Sequence, residues 1–192
     1  MSERALLVVD IQNDFCPGGA LPVPDGDKII PVANWIIGAF MGNNDAVIFS
    51  RDWHPQDTKE HFQKWPPHCI QTTKGAELHP NLKLPKNFML ISKGTKPDED
   101  AYSPFEGKNY HGETLLEILK ILTIKEVWIF GLALDYCVKA AALDAKKNGF
   151  DVIVIENACA AVNVNPDDGK KAVEEMRQTG IRVMMFAEFA GK

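Results

Sequence analysis

Four residues of three types, set at four distant points of this sequence, could do nucleophilic chemistry together. Cys137 lies in EVWIFGLALDYCVKAAALD, residues 126–144. An apolar run there breaks at Gly131 and resumes with helical spacing from Cys137 onward, a pattern that predicts strand, tight turn and helix. With Asp135 as helix N-cap, Cys137 would be the second helical residue. The positive end of the helix would then favour its thiolate, the form that attacks carbon. A free cysteine also packs well as a small buried hydrophobe, and this stretch alone leaves both roles open. Asp10, Asp52 and Lys93 each lie at the end of a short, mainly apolar run. A carboxylate, a second carboxylate, a lysine and a thiol suffice for a general base, a charge partner and a nucleophile.

A second cluster has the chemistry of a metal site. Asp52 and His54 are two apart, so an extended backbone points both to one side. His61 and His68 follow in the same stretch. Carboxylate and imidazole together suit Zn²⁺, Fe²⁺ or Mn²⁺. Polar loops collect histidines without any metal, and the Asp-x-His spacing leaves that reading open. His79, followed by Pro80, reads as a turn.

The elements that must position these residues alternate. Strands are expected over 5–9, 46–50, 87–92, 127–130, 151–155 and 182–186, with helices over 28–41, 112–122, 137 onward and 166–179. The strands are continuous apolar runs, as in strands covered on both faces. The prediction is a three-layer α/β/α domain with a largely parallel six-stranded sheet. In such sheets ligands bind beyond the carboxyl ends of the strands, where Asp10, Asp52, Lys93 and the 131–137 turn all fall. Residues 53–86, rich in Pro, His, Gly and Lys, hold no long element and read as a functional loop or lid, with the metal-binding region at about 52–86.

The totals restrict function further. At 192 residues the chain is expected to be one domain, 1–192, with a sizeable core. A net charge of −5 with no basic block argues against nucleic acid, and no apolar run is long enough to span a membrane. The four cysteines, Cys16, Cys69, Cys137 and Cys159, form no Cys-x-x-Cys pair. With no export signal, reduced thiols and a cytoplasmic location are expected. Oligomeric state is left open, a homo-oligomer included.

Seven segments together carry a resemblance: LLVVDIQNDFCPGG (6–19), SRDWHP (50–55), WPPHC (65–69), GAELHP (75–80), SKG (92–94), YSPFEG (102–107) and GLALDYCV (131–138). Their order and spacing resemble the nicotinamidase branch of the isochorismatase-like cysteine hydrolases. The pairing of the DWH and WPPHC segments marks its metal-binding members. The resemblance implies Asp10, Lys93 and Cys137 as catalytic triad. It implies Asp52, His54 and His68 as ligands of one divalent ion, zinc foremost, with His61 near the metal. Phe15, Trp65 and Tyr102 match pocket residues. Leu132–Ala133 aligns with a cis peptide, and the N–H groups of Ala133 and Cys137 with an oxyanion hole. Leu132 and Tyr136 fall at the pocket, and Tyr136 departs from the histidine often found before the cysteine, which bears on substrate preference. The implied activity is hydrolysis of nicotinamide to nicotinate and ammonia through a cysteine thioester, in NAD salvage, with pyrazinamide-like analogues as further substrates. The alternatives are another small amide on the same scaffold, a metal- and ligand-binding module without turnover, or a thiol redox sensor built on Cys137.

Overall fold

The computed structural model describes residues 2–86 and 88–190. Asn87, the expected first residue of the third strand, lies outside them, as do the ends of the expected 1–192 domain. In chain order the main elements are β1 (Arg4–Val9), α1 (Ile30–Gly42), β2 (Ala46–Asp52), α2 (Glu60–Lys64), β3 (Met89–Lys93), α3 (Leu115–Ile121), β4 (Glu126–Leu132), α4 (Lys139–Lys147), β5 (Asp151–Ala160), α5 (Asp168–Gln178), β6 (Arg182–Met184) and α6 (Phe186–Ala190). The sheet order is β3-β2-β1-β4-β5-β6, and every pairing is parallel.

Both faces of β1 are covered, which is why its sequence is unbroken apolar rather than alternating. Leu6 and Val8 pack with Ala33, Ile36, Ile37 and Phe40 of α1. Ala5, Leu7 and Val9 pack on the other face with α3, α4 and α5 through residues such as Leu115, Ala141 and Met176. Each large side chain buried this way contributes about 1.5–3 kcal/mol. Among the described residues, no helix is long and apolar enough to cross a membrane.

Chain order reverses between β1 and β4. Strands on either side of that point are connected in opposite directions, so a crevice opens beyond their carboxyl ends. Asp10 follows β1 and the Cys137 turn follows β4, on the two sides of this crevice.

Four expectations need correction. Asp135 does not cap a helix: its carboxylate accepts from the N–H groups of Val162 (2.9 Å) and Asn163 (2.8 Å). The helix entry is instead a π-helical turn, Leu134–Val138, and α4 begins only at Lys139. The last strand ends at Met184 rather than 186. The chain then turns into α6, because Phe189 meets Phe40 and Trp128, and both Phe186 and Phe189 meet Trp35. β5 runs on to Ala160, five residues past the expected end at Ile155. α3 starts at Leu115 because Thr114 closes a capping box with Glu117, each side chain meeting the other's backbone N–H.

Candidate active site and metal cluster

β2 and β3 end in Asp52 and Lys93, which the register pairs, and Asp10 directly follows β1. The Lys93 side chain is fully buried. Its ammonium donates to Asp52 Oδ1, to the Ala101 carbonyl (3.3 Å) and to Cys137 Sγ (3.5 Å). Asp10 Oδ2 lies 3.0 Å from the same nitrogen. Asp10 Oδ1 accepts from the Ser50 hydroxyl at 2.7 Å, whereas Oδ2 accepts no geometrically sound hydrogen bond from the described residues. One oxygen of the buried carboxylate is therefore held by Ser50, and the other faces the Lys93 ammonium in the same group as the thiol. Asp10, Asp52 and Cys137 each bring one atom into a group spanning no more than 4.8 Å.

Burial governs the proton affinities here. It pushes the Asp10 carboxyl up, against the pull of Lys93, and the Asp52 charge adds to the rise. It pushes the Cys137 thiol well up, against Lys93. Asp52 goes the other way: burial raises it, but the Lys93 ammonium beside it holds it below the usual carboxylate range. Lys93 loses by burial and gains more from Asp10 and Asp52, so it stays firmly charged. Lys93 is held as a cation and Asp52 as an anion, while its raised proton affinity makes the Asp10 carboxylate a better acceptor for the thiol proton beside it.

Asp52 is shared with the imidazole cluster. Its Oδ2 is 3.9 Å from His54 Nε2 and 3.8 Å from His68 Nε2. His54, His61 and His68 are all buried, with one nitrogen of each within 4.8 Å of the others. His54 Nδ1 donates to the Gly94 carbonyl (3.1 Å), His68 Nδ1 to the Pro66 carbonyl (2.8 Å) and His61 Nδ1 to the Asp100 carboxylate (2.5 Å). The Nε2 atoms of His54 and His61 are buried without a hydrogen-bond partner. Orphaned imidazole nitrogens facing a carboxylate fit a divalent cation: outer nitrogens held as donors leave inner lone pairs for the metal. Burial also lowers His54 to about 4, so that it is neutral as a ligand must be.

A cleft of roughly 400 Å³, partly open to solvent, joins the two clusters. Cys137, Ala133, Asp52, His61 and His68 line it, facing apolar walls from Phe15, Trp65, Tyr102 and Tyr136. Trp65 Nε1 donates to the Tyr102 hydroxyl at 3.0 Å, and the Trp65 and Tyr136 rings meet edge to face. Leu132 is fully buried in the core below and does not line the cleft. The peptide between Leu132 and Ala133 is cis.

Sequence reasoning missed Leu21, Val23 and Val162, which complete the apolar wall. It also missed the residues that hold the site residues in place. Gln12 is buried and staples Asp52 from both sides, its Oε1 accepting from the Asp52 N–H (2.7 Å) and its Nε2 donating to the Asp52 carbonyl (2.8 Å). Asp14 accepts from the N–H of Cys69 at 2.7 Å, tying the His68 loop to the end of β1. The polar Gln12 and Asp14 directly after a buried strand were the available signal. Ser50 and Asp100 had none.

A crevice at the β1–β4 reversal, with a cysteine in the turn after β4, a carboxylate just after β1 and a lysine ending β3, defines the class of isochorismatase-like α/β hydrolases. The chain belongs to the isochorismatase family, whose domain model matches residues 4–188. It is 39% identical to the nicotinamidase of Escherichia coli K12, over 98% of each chain. The zinc complex of the Pyrococcus horikoshii pyrazinamidase superposes with a TM-score of 0.87 at 45% identity, covering 96% of this chain and 99% of that one. PnC1 of L. infantum in complex with nicotinate superposes at 0.84 with 30% identity, covering 97% and 96%.

Proposed function

We propose that this protein is an amidohydrolase that converts nicotinamide to nicotinate and ammonia, and that it accepts pyrazinamide-like analogues. The observation that carries the reading is the Cys137 thiol, set beside the Lys93 ammonium and the Asp10 carboxylate at the floor of an aromatic-walled cleft. The cleft suits a flat ring bearing one small polar arm. The activities named for the relatives support the same substrate class.

An amide is a weak electrophile, so the site must supply both a strong nucleophile and a cradle for the oxyanion. As Cys137 Sγ bonds to the amide carbon, Asp10 takes the thiol proton. The backbone N–H groups of Ala133 and Cys137 are the donors proposed for the oxyanion, each worth roughly 3 kcal/mol. Collapse of that intermediate expels ammonia, which carries the proton returned by Asp10. Water then cleaves the thioester, releasing nicotinate and restoring the thiol. Lys93 stays charged throughout and offsets the negative charge passing between Asp10 and the sulfur.

Asp52, His54 and His68, with His61 beside them, are the residues that would hold a divalent ion, zinc foremost. When bound, the ion supplies a Lewis-acidic point on the cleft wall that orients the pyridine ring. The reaction would return nicotinamide to NAD synthesis.

The test is ammonia release from nicotinamide by wild-type protein and by Cys137→Ala, each as purified and after chelation and zinc return. Release that requires Cys137 is expected. Release by Cys137→Ala at the wild-type rate would overturn the nucleophile. No release from zinc-loaded wild-type protein, with release from another small amide, would overturn the substrate.

A further inference from the structure

The three imidazoles of the cluster are held in two different ways. His54 and His68 each donate Nδ1–H to a backbone carbonyl, of Gly94 and Pro66. A carbonyl accepts only, so the proton sits on Nδ1 and the lone pair on Nε2. His61 is held by a side chain instead: its Nδ1 meets Asp100 Oδ1 at 2.5 Å. An ionised carboxylate likewise accepts only, and His61 Nε2 is left buried and unpaired, within reach of its two neighbours. Asp100 is in turn held by Lys64, whose ammonium bonds its Oδ2.

Asp100 sits at the start of a segment that touches every part of the site. The next residue, Ala101, accepts from Lys93 through its carbonyl, and the one after, Tyr102, accepts from Trp65. Upstream, Glu99 accepts from the N–H groups of Thr95 and Lys96, and the Pro97 carbonyl accepts from Lys59 just before α2. Asp100 is thus anchored on both sides, and its hold on His61 is fixed by the same chain that meets the lysine and the aromatic wall.

We propose that Asp100 is a positioning residue that fixes His61 in the Nδ1–H tautomer and turns its Nε2 onto the cation, making His61 a third imidazole ligand beside His54 and His68. This rests on the metal-binding reading given above. A carboxylate on the far nitrogen makes an imidazole a stronger donor than a carbonyl does, and it also fixes the ring's rotation. Lys64, binding the other oxygen, keeps Asp100 itself in place.

The test uses cobalt(II) absorption and zinc competition against a chromophoric chelator, on wild-type protein, His61→Ala, Asp100→Ala and Asp100→Asn. Melting of the chelated forms checks that all four fold. Removing such a partner typically lowers metal affinity about 10–100-fold, and that loss is expected for Asp100→Ala. Its cobalt spectrum should move to that of His61→Ala. Asp100→Asn keeps an oxygen acceptor and should recover most of the affinity and the wild-type spectrum. Wild-type affinity and spectrum in Asp100→Ala, or no recovery in Asp100→Asn, would overturn the proposal alone. Wild-type protein that takes up neither metal would overturn the metal centre, and this proposal with it. None of these readouts needs turnover.

Discussion

Asp52 and Lys93 are register partners at the ends of β2 and β3, and the Lys93 ammonium donates to Asp52 Oδ1. The other oxygen of Asp52 faces His54 and His68. One carboxylate therefore borders both the thiol site and the imidazole cluster, and it can do so because adjacent parallel strands end at the same height. Gln12 holds the backbone of Asp52 through two hydrogen bonds, which fixes the residue the two clusters share.

Lys93→Met should be costly for both fold and turnover. It leaves Asp10 and Asp52 buried together with no cation between them. Breaking a buried pair in this way costs about 3–5 kcal/mol. Urea denaturation should show a clear drop in midpoint, and nicotinamide turnover should fall to background. A variant with wild-type midpoint would mean that the two carboxylates are neutral or hydrated in the folded protein.

Asp10→Asn separates the proton acceptor from the local structure. The amide oxygen can still accept from Ser50, so the end of β1 should hold. The group facing the thiol no longer takes a proton, and kcat/KM should fall about 10²–10⁴-fold. Far-ultraviolet dichroism and zinc affinity should be unchanged. Retained activity would remove Asp10 from the mechanism.

The histidine cluster makes a prediction about acid sensitivity of the metal-free protein. Folding lowers His54 from 6.5 to about 4, mainly through burial, and His61 is lowered for the same first reason. The unfolded chain therefore binds these protons first. The stability is fully present above about pH 6.5 and is lost as pH falls toward 4. Between pH 7.5 and pH 5 the share from His54 alone is about 2 kcal/mol. Urea midpoints of chelated protein at pH 7.5 and pH 5 should differ accordingly, and His54→Asn should flatten the difference. An equal slope in that variant would assign the acid sensitivity elsewhere.

The order of strands and helices was legible in the sequence because buried parallel strands are apolar runs with polar ends. That logic brought Asp10, Asp52 and Lys93 to one rim before any coordinates. The failures lie where tertiary contacts override local signals. Asp135 has the residue type of a cap, yet its carboxylate serves the 162–163 backbone, and the turn around Cys137 takes a π-helical form instead. Phe186 reads as the end of a strand, but the aromatic cluster around Trp35 draws it into a helix. Ser50 and Asp100 carry no sequence signal at all, since their partners lie about 40 residues away in the chain.

Gly94→Ala tests how tightly the cluster is built into the end of β3. Gly94 has φ +61°, in the left-handed region, and a Cβ there would stand 2.4 Å from His54 Cε1. The carbonyl of the same residue is the acceptor for His54 Nδ1. The alanine variant therefore meets a backbone cost of roughly 1–2 kcal/mol and must also push the His54 ring away from the other two imidazoles. Gly112→Ala is the control, because Gly112 is also left-handed, at φ +85°, with nothing within 4 Å of its Cβ. Both variants should melt lower than wild type, but only Gly94→Ala should lose zinc affinity in chelator competition. If the two variants bind zinc equally well, zinc is bound without the His54 ring in this position, and His54 is a packing residue rather than a ligand.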